Sequence, residues 1–161
     1  MPFRKAVEKV SVIGIRCGRP FDEIVEHFQK LGGDVVLMDP MYVCGRDHII
    51  SAVMHAERAF GQGTNRSRTL LTETLLYAAG ERQISRALEK MRPKDGVAEI
   101  AAAVFGAGGD LHLDDIDATA DDTILECSPE KLKRMNITRT GNIPPGDLVL
   151  EMVATVDIQK Q

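Results

Sequence analysis

The chain has 161 residues, of which 43% are hydrophobic and 27% charged, and its formal net charge is −4. That length and composition are typical of a globular domain with its own core, and we expect residues 1–161 to form a single domain. No apolar run is long enough to cross a membrane, and no signal peptide is expected. The acidic charge and the 4% aromatic content, taken alone, argue against a nucleic-acid-binding protein.

The first half of the chain predicts alternating strands and helices. Residues 10–15 alternate in polarity and are rich in β-branched side chains, which indicates a strand. Apolar residues then recur at helical spacing over residues 20–31, and two glycines end that helix. Residues 35–38 predict a short buried strand. Residues 47–60 predict a helix whose first turn Asp47 can cap.

The second half predicts several helices and one further strand. Helices are expected between Leu70 and Gly80 and over residues 84–91, and another starts at Ser128. Residues 99–105 predict a strand, which the glycine-rich turn at residues 106–109 follows. The apolar C-terminal run at residues 148–158 fits helical and strand spacing, and we favour a helix. Together these elements predict an α+β fold, with a small, mixed, mainly antiparallel sheet packed by about five helices.

The net charge conceals an uneven distribution along the chain. Residues 46–92 contain eight basic and five acidic groups, which gives a local charge of +3. Residues 110–126 contain seven acidic groups and no lysine or arginine, and we expect them to form a solvated loop. This asymmetry suggests two surfaces with different partners; the alternative is that both are simply solvated faces.

No pattern for catalysis, metal binding or a cofactor stands out. The glycine turn at residues 106–109 precedes acids that would repel a phosphate, which disfavours a nucleotide site there. The four histidines lack zinc-site spacing, and no nucleophile motif occurs. The three cysteines are far apart and form no C-x-x-C pair, so we expect buried thiols in a reducing cytosol. We therefore expect no catalytic residues, no metal and no cofactor.

The arginine-rich segment over residues 58–86 is the best candidate for binding chemistry. Its preceding helix carries one polar stripe on a helical wheel, formed by His48, Ser51, His55 and Arg58. This stripe leads into a polar, basic loop at residues 65–69, with the Asn, Ser, Thr and Arg side chains that proteins use for phosphate and sugar contacts. The alternative is an exposed loop whose arginines pair with nearby carboxylates, namely Glu57, Glu73 and Glu81.

Three consecutive blocks carry the most specific pattern in the sequence. They are VCGRDHIISAVMHAERAF at residues 43–60, NRSRT at residues 65–69 and ETLLYAAGERQISRAL at residues 73–88. Their order resembles that of the TPRKB family, the small non-catalytic subunit of the KEOPS (EKC) complex. The resemblance covers residues 35–105 well and the C-terminal run loosely, and it does not extend to the acidic residues 110–126.

The resemblance implies a function in tRNA processing. The complex makes N6-threonylcarbamoyladenosine next to the tRNA anticodon, and a separate transferase does the chemistry. A TPRKB-like subunit would bind the PRPK-type kinase subunit and, in archaeal members, recruit tRNA through its single-stranded 3′-CCA end. It would be a cytoplasmic binding protein with no small-molecule substrate and no membrane contact. Two alternatives stay open: a kinase-binding scaffold or regulator without RNA contact, and, as the weakest, a small-molecule or nucleotide-binding enzyme.

The resemblance also assigns site residues. The residues expected to contact RNA are Arg58, Asn65, Arg66, Arg68, Thr69 and Arg82. Aromatic stacking is scarce, because Tyr77 follows two leucines on an apolar helix and is expected in the core. The C-terminal run resembles the family's kinase-binding helix and has more apolar residues than one buried face needs. The residues expected to contact the kinase are Leu150, Val153, Val156 and Ile158.

Overall fold

A computed structural model describes residues 9–138 and 141–160 of the chain. The expectation about a signal peptide at the start of the chain falls largely on residues 1–8 and so lies outside the described residues. In chain order the elements are β1 (Val10–Arg16), α1 (Phe21–Lys30), β2 (Asp34–Met38), α2 (Arg46–Gln62), α3 (Leu70–Ala79), α4 (Ile84–Met91), β3 (Glu99–Phe105), β4 (Thr119–Ala120), α5 (Pro129–Arg134) and α6 (Pro145–Gln159). Three short 3₁₀ turns also occur, at Pro40–Tyr42, Leu113–Ile116 and Asp122–Leu125.

The four strands form one antiparallel sheet in the order β2-β3-β1-β4. The register pairs Ile13 of β1 with Ala102 of β3, and Val36 of β2 with Ala103 of β3. With six helices in the described residues, the predicted α+β single-domain class is confirmed. The predicted mixed sheet is wholly antiparallel over these strands. The sequence analysis missed β4, because two residues within an acidic run carry almost no strand pattern.

The sheet is buried on both faces. On one face, α2, α3, α4 and α6 cover the larger core, which includes Ala101 and Ala103 of β3. On the other face, α1 covers a smaller core that includes Ile100 and Ala102. A strand buried on both faces needs apolar residues without alternation, which explains the continuous apolar run of β3. No helix in the described part of the chain is long and apolar enough to span a membrane.

The acidic residues 110–126 fold back along β1. Six of the seven acidic residues are exposed, as expected of a solvated segment, but the segment is docked on the sheet and is not a free loop. Asp121 donates its N–H to the carbonyl of Gly14, and the Gly14 N–H donates to Asp122 Oδ1 at 3.1 Å. The segment also buries apolar side chains, among them Ile124 and Leu125. Three of its seven carboxylates pair with arginines outside the basic loop: Asp117 with Arg19 (2.6 Å), Asp121 with Arg16 (2.9 Å) and Asp122 with Arg46 (3.0 Å).

The cysteines also differ from the expectation. Cys44 and Cys127, 83 residues apart in sequence, are joined in a disulfide with their Cα atoms 4.1 Å apart. Each cysteine lies just before the start of a helix, and the packing of α5 against the 3₁₀ turn Pro40–Tyr42 brings them together. Their separation in sequence concealed this pairing. Cys17 is a buried free thiol, as predicted for all three.

Candidate nucleic-acid and partner interface

The candidate interface is built on three packed helices. α2 and α3 are antiparallel neighbours connected by residues 63–69, which we call the basic loop. α6 packs against both helices and ends beside this loop. The contact is direct, because Arg66 Nη2 donates to the carbonyl oxygen of Lys160 at 2.5 Å. The tertiary fold thus places the predicted RNA loop next to the last turn of the predicted kinase-binding helix.

The backbone of the basic loop is held from the inside by one carboxylate. Glu73 Oε1 accepts the N–H groups of Arg66 and Ser67 at 3.0 and 2.9 Å, and the Ser67 hydroxyl at 2.8 Å. Asn65 donates its side-chain amide to the carbonyl of Ser67 at 2.9 Å, and Thr69 caps α3 by accepting the Thr72 N–H. The Asn65 and Thr69 side chains therefore shape the loop.

Arg66 and Arg68 are exposed on this ordered loop. Two of the three carboxylates expected to neutralise the arginines pair with lysines: Glu73 with Lys160, and Glu81 with Lys90 at 2.8 Å. The Arg68 guanidinium has no hydrogen bond or ion pair with any residue that the structure describes. The loop consequently presents positive charge to solvent.

Arg58 lies on α2 close to the basic loop, and its charge is partly neutralised. Its Nη2 is 3.3 Å from Asp157 Oδ2 and 2.8 Å from His55 Nδ1. Burial raises the pKa of Asp157, but hydrogen bonds from Tyr77 and His55 and the charge of Arg58 outweigh it and hold the pKa below its usual value. Arg58 is therefore a weaker candidate for a phosphate contact than Arg66 or Arg68.

Arg82 is separated from the basic loop by the whole length of α3. Ten residues of α-helix span roughly 15 Å, and Arg82 follows the C-terminal end of α3 whereas the loop precedes its start. Arg82 is exposed and its guanidinium has no partner within the described residues. The structure therefore groups four of the six predicted RNA residues in the loop, leaves Arg58 at its border and separates Arg82.

Tyr77 is fully buried, which confirms the expectation that it belongs to the core. Its ring stacks on the His55 ring with centroids 5.3 Å apart, and the Lys160 ammonium lies 4.5 Å from its centroid. Its hydroxyl donates to Asp157. Stacking of an RNA base on this ring is excluded, because no face of it reaches solvent.

Fewer of the residues predicted to contact the kinase are exposed on the outer face of α6 than expected. Val153 and Val156 are completely buried in the larger core, so the expectation of an uncovered apolar stripe is wrong for these two residues. The reason is that α6 packs against both α2 and α3, which uses the apolar side of the helix. Leu150 is half-buried, and Ile158 is 68% exposed.

The helix beside α6 exposes an apolar residue that the sequence analysis missed. Met54 of α2 is 54% exposed, although it is apolar. α6 runs alongside α2 in the same direction, since Val149 packs with Cys44 near one end and Asp157 meets His55 further along. The sequence could have predicted the exposure of Met54, because a helical wheel of α2 places this residue among the polar ones.

His48 is buried, and its assignment to the polar stripe of α2 is wrong. Its Nδ1 accepts the Cys44 N–H at 3.1 Å, which leaves Nε2 to donate to the carbonyl of Ala78 at 2.8 Å. Burial lowers the pKa of His48 to about 4, so the ring is neutral at pH 7.

Nearby, Lys131 donates to the carbonyls of Val43 and Ile124, and desolvation lowers the pKa of this lysine.

The buried His48 and Lys131 side chains connect structural elements through hydrogen bonds to the backbone. Over the described residues, no group of three or more His, Cys, Asp or Glu side chains is placed to hold a metal ion. The turn at residues 106–109 leads into the 3₁₀ turn Leu113–Ile116, which lacks the long helix N-terminus that a phosphate-binding loop needs. The exposed, unneutralised arginines of the basic loop remain the clearest binding chemistry.

Comparison with known families identifies a kinase-binding family. A family model described as kinase binding protein CGI-121 matches residues 22–141, which is more than half of the 161-residue chain. The match includes the three blocks at residues 43–88 and confirms the resemblance to the TPRKB family; α6 lies beyond its end. No curated protein matches the chain. The chain belongs to the CGI-121 family of kinase-binding proteins, which is the TPRKB family.

Proposed function

We propose that this chain is a non-catalytic subunit of a KEOPS complex that supports N6-threonylcarbamoyladenosine modification of tRNA. It binds the PRPK-type kinase subunit and recruits tRNA through the 3′-CCA end. Membership of the CGI-121 family supports the kinase partner, and the motif order over residues 43–88 supports the complex.

One observation carries the RNA part of the proposal. Arg66 and Arg68 project from a loop whose backbone is already ordered by Glu73. Guanidinium groups bind phosphate through paired hydrogen bonds and also reach the base edges of unpaired nucleotides. Because the loop is preorganised, binding costs less conformational entropy than it would on a mobile loop.

The same surface sets a limit on RNA affinity. The basic loop contains no aromatic residue and the ring of Tyr77 is buried, so neither offers a surface on which a base could stack. Two phosphate contacts give modest, salt-dependent binding. Such affinity suits a subunit that positions the tRNA tail within an assembly whose other subunits bind the rest of the RNA.

The first test compares intact tRNA with tRNA that lacks its CCA end, in gel-shift titrations. We expect tighter binding of the intact tRNA, and the double change Arg66→Glu with Arg68→Glu abolishes the difference. The control Lys94→Glu with Lys133→Glu alters net charge equally at exposed positions outside the loop, and it preserves the difference. Equal binding of both tRNAs by the wild-type protein would exclude the RNA-tail function and favour the kinase-binding scaffold.

The kinase contacts the outer face of α6 together with the neighbouring face of α2. Ile158 and Met54 are two of the few large apolar side chains that remain exposed in the described residues, and exposed apolar side chains on neighbouring helices are typical of a partner site. We expect Ile158→Arg to prevent co-purification with the kinase subunit. Val97→Arg, at a 48% exposed valine in the connection between α4 and β3, leaves co-purification intact. Retention of the kinase by the Ile158 variant would place the interface elsewhere.

A further inference from the structure

Glu73 and Lys160 form an ion pair that is removed from solvent. The Glu73 side chain is 0% exposed and the Lys160 side chain 5% exposed. The two carboxylate oxygens have different partners, because Oε1 accepts from the backbone of the basic loop and Oε2 accepts from the Lys160 ammonium. One buried carboxylate thus links the loop to the last turn of α6.

The ammonium group of Lys160 uses all three of its donors on this link. It donates to Glu73, to the Tyr77 hydroxyl at 3.0 Å and to the carbonyl of Thr64 at 3.3 Å, which lies in the loop itself. Arg66 contacts α6 in return through the carbonyl oxygen of Lys160. The loop and α6 therefore hold each other through side chain and backbone, and we call this set of contacts the clasp.

The clasp is sensitive to any movement of α6. A buried carboxylate that loses its cation is left with an uncompensated charge, which is strongly unfavourable. The Glu73 carboxylate would then need hydration by water. Water molecules that enter would compete with the Arg66 and Ser67 amides for hydrogen bonds to this carboxylate. The conformation of the basic loop is thereby tied to the docking of the last turn of α6.

We infer that the clasp couples the two faces of the protein, so that a partner bound on the last turn of α6 strengthens RNA binding by the basic loop. The exposed Ile158 precedes Lys160 by two residues on the same helical turn. A partner seated there restrains Lys160 and so favours the ordered loop, and by linkage RNA on the loop favours the partner to the same degree. Glu73 and Lys160 are positioning residues in this scheme, since both are buried. The inference rests on the proposed kinase and tRNA partners.

The first experiment measures hydrogen–deuterium exchange at the Arg66 and Ser67 amides in the isolated protein. We expect Lys160→Met to accelerate exchange at these amides by about tenfold or more, because the loss of one charged hydrogen bond is worth at least that factor. The matched control is Lys90→Met, which breaks a Lys–Glu pair with Glu81 at the opposite end of α3. The control leaves loop exchange unchanged, whereas unchanged exchange in the Lys160 variant would overturn the inference.

The second experiment measures tRNA affinity with and without saturating kinase subunit. In the wild-type protein we expect the kinase to tighten tRNA binding by about fivefold or more, a typical coupling between two sites. The double variant Glu73→Gln with Lys160→Met removes both buried charges, keeps an oxygen for the loop amides, and protects the fold if Lys160→Met alone unfolds. We expect the kinase to increase the tRNA affinity of the double variant by a smaller factor than that of the wild type. A direct contact between kinase and tRNA would contribute equally to the wild type and the double variant, so it would not cause this difference.

The outcomes separate the inference from the proposed function. An equal kinase effect in the wild type and the double variant would overturn the coupling, even if tRNA binds through the loop. Absence of tRNA binding by the wild type would reject the proposed RNA function. In that case hydrogen exchange at the Arg66 and Ser67 amides on adding the kinase still decides whether α6 and the loop are coupled. A change in exchange in the wild type but not in the double variant supports the clasp. No change in the wild type refutes it.

Discussion

His48 illustrates how a single residue connects several elements of this protein. Its ring lies between the start of α2 and the end of α3, with each nitrogen in a hydrogen bond to the backbone. The bond from the Cys44 N–H requires an unprotonated Nδ1, so the contacts themselves select the neutral form of the ring. The buried position and the nearby Lys131 ammonium both disfavour protonation, and burial is the larger cause.

This arrangement predicts a pH-dependent loss of stability. The pKa of His48 is about 4 in the folded protein and 6.5 in its ordinary state. Between those values the unfolded chain binds a proton that the folded chain does not, so stability is lost as the pH falls, by up to about 1.4 kcal/mol for each pH unit. We expect His48→Gln, which retains an acceptor and a donor, to lose less stability between pH 7 and pH 5.

The measurement is urea unfolding of both proteins at the two pH values. The control is His112→Gln, which replaces an exposed histidine and follows the wild-type pH dependence. Identical losses in the wild type and the His48 variant would show that another group causes the pH dependence.

Among the elements, α6 and the segment 110–126 owe their positions to different forces. α6 is held by apolar burial, with Val149, Val153 and Val156 completely inaccessible. The segment 110–126 combines apolar contacts with hydrogen bonds to β1, and its backbone approaches Gly14 closely. Its arginine–aspartate pairs are exposed and contribute little, because surface ion pairs are screened by water. The packing of each element can be tested by one disruptive substitution and one control substitution.

For α6 the test compares substitution by arginine at two neighbouring positions, one buried and one exposed. Val153→Arg places a charge in the larger core and is expected to cost about 4–5 kcal/mol or to prevent folding. Ala154→Arg places the same charge on the exposed side of the helix, and we expect an unfolding temperature close to that of the wild type. Circular dichroism during heating measures both. A folded Val153 variant of normal stability would contradict the assignment of this residue to the core.

For the segment 110–126 the test is a methyl group at Gly14. A Cβ atom there would lie 2.3 Å from the carbonyl oxygen of Asp121 and 3.0 Å from Ile124 Cβ. The segment must move to admit it, so we expect Gly14→Ala to destabilise the protein by about 1–3 kcal/mol in urea unfolding. Gly18→Ala is the control, because a Cβ at Gly18 meets no atom within 4 Å. Equal stabilities of the two variants would show that the segment is not docked at Gly14.

At the scale of the whole molecule, α2 separates two regions of charge. Asp122 meets Arg46 at the start of α2, whereas the basic loop follows the end of this 17-residue helix, about 25 Å away. The folded acidic segment thus pairs with Arg46 at one end of α2, and the arginines of the loop lie at the other end. A net charge of −4 is therefore compatible with a local surface that attracts RNA.

This distribution predicts the salt dependence of RNA binding. Contacts from Arg66 and Arg68 to two phosphates of a single-stranded tail give a slope of about −1.4 in a plot of log affinity against log salt concentration. Replacement of both by glutamate removes this contribution, and Asp122→Asn leaves it unchanged because Asp122 lies at the far end of α2. Fluorescence anisotropy with a labelled CCA-ended oligonucleotide measures the slopes. A wild-type slope near zero would rule out phosphate contacts.

Local signals in the sequence were sufficient for the elements other than β4, for the fold class and for the family. Strand alternation, helical spacing, glycine stops and the Ser128 cap depend on residues within a few positions of one another, and the structure confirms them. The three blocks at residues 43–88 identified the family that the comparison shows. The residue types and order of the loop arginines also marked them locally, and their role in RNA binding stays a prediction.

Only the tertiary structure decided which of these residues face solvent and which are paired. The burial of His48 and Val153, the disulfide between Cys44 and Cys127 and the pairing of Glu73 with Lys160 all join elements distant in the chain. Periodicity shows that a helix has an apolar side, but it does not show how much of that side its neighbours cover. Charge, burial and coupling between sites depend on distances in the folded chain, which sequence separation does not determine.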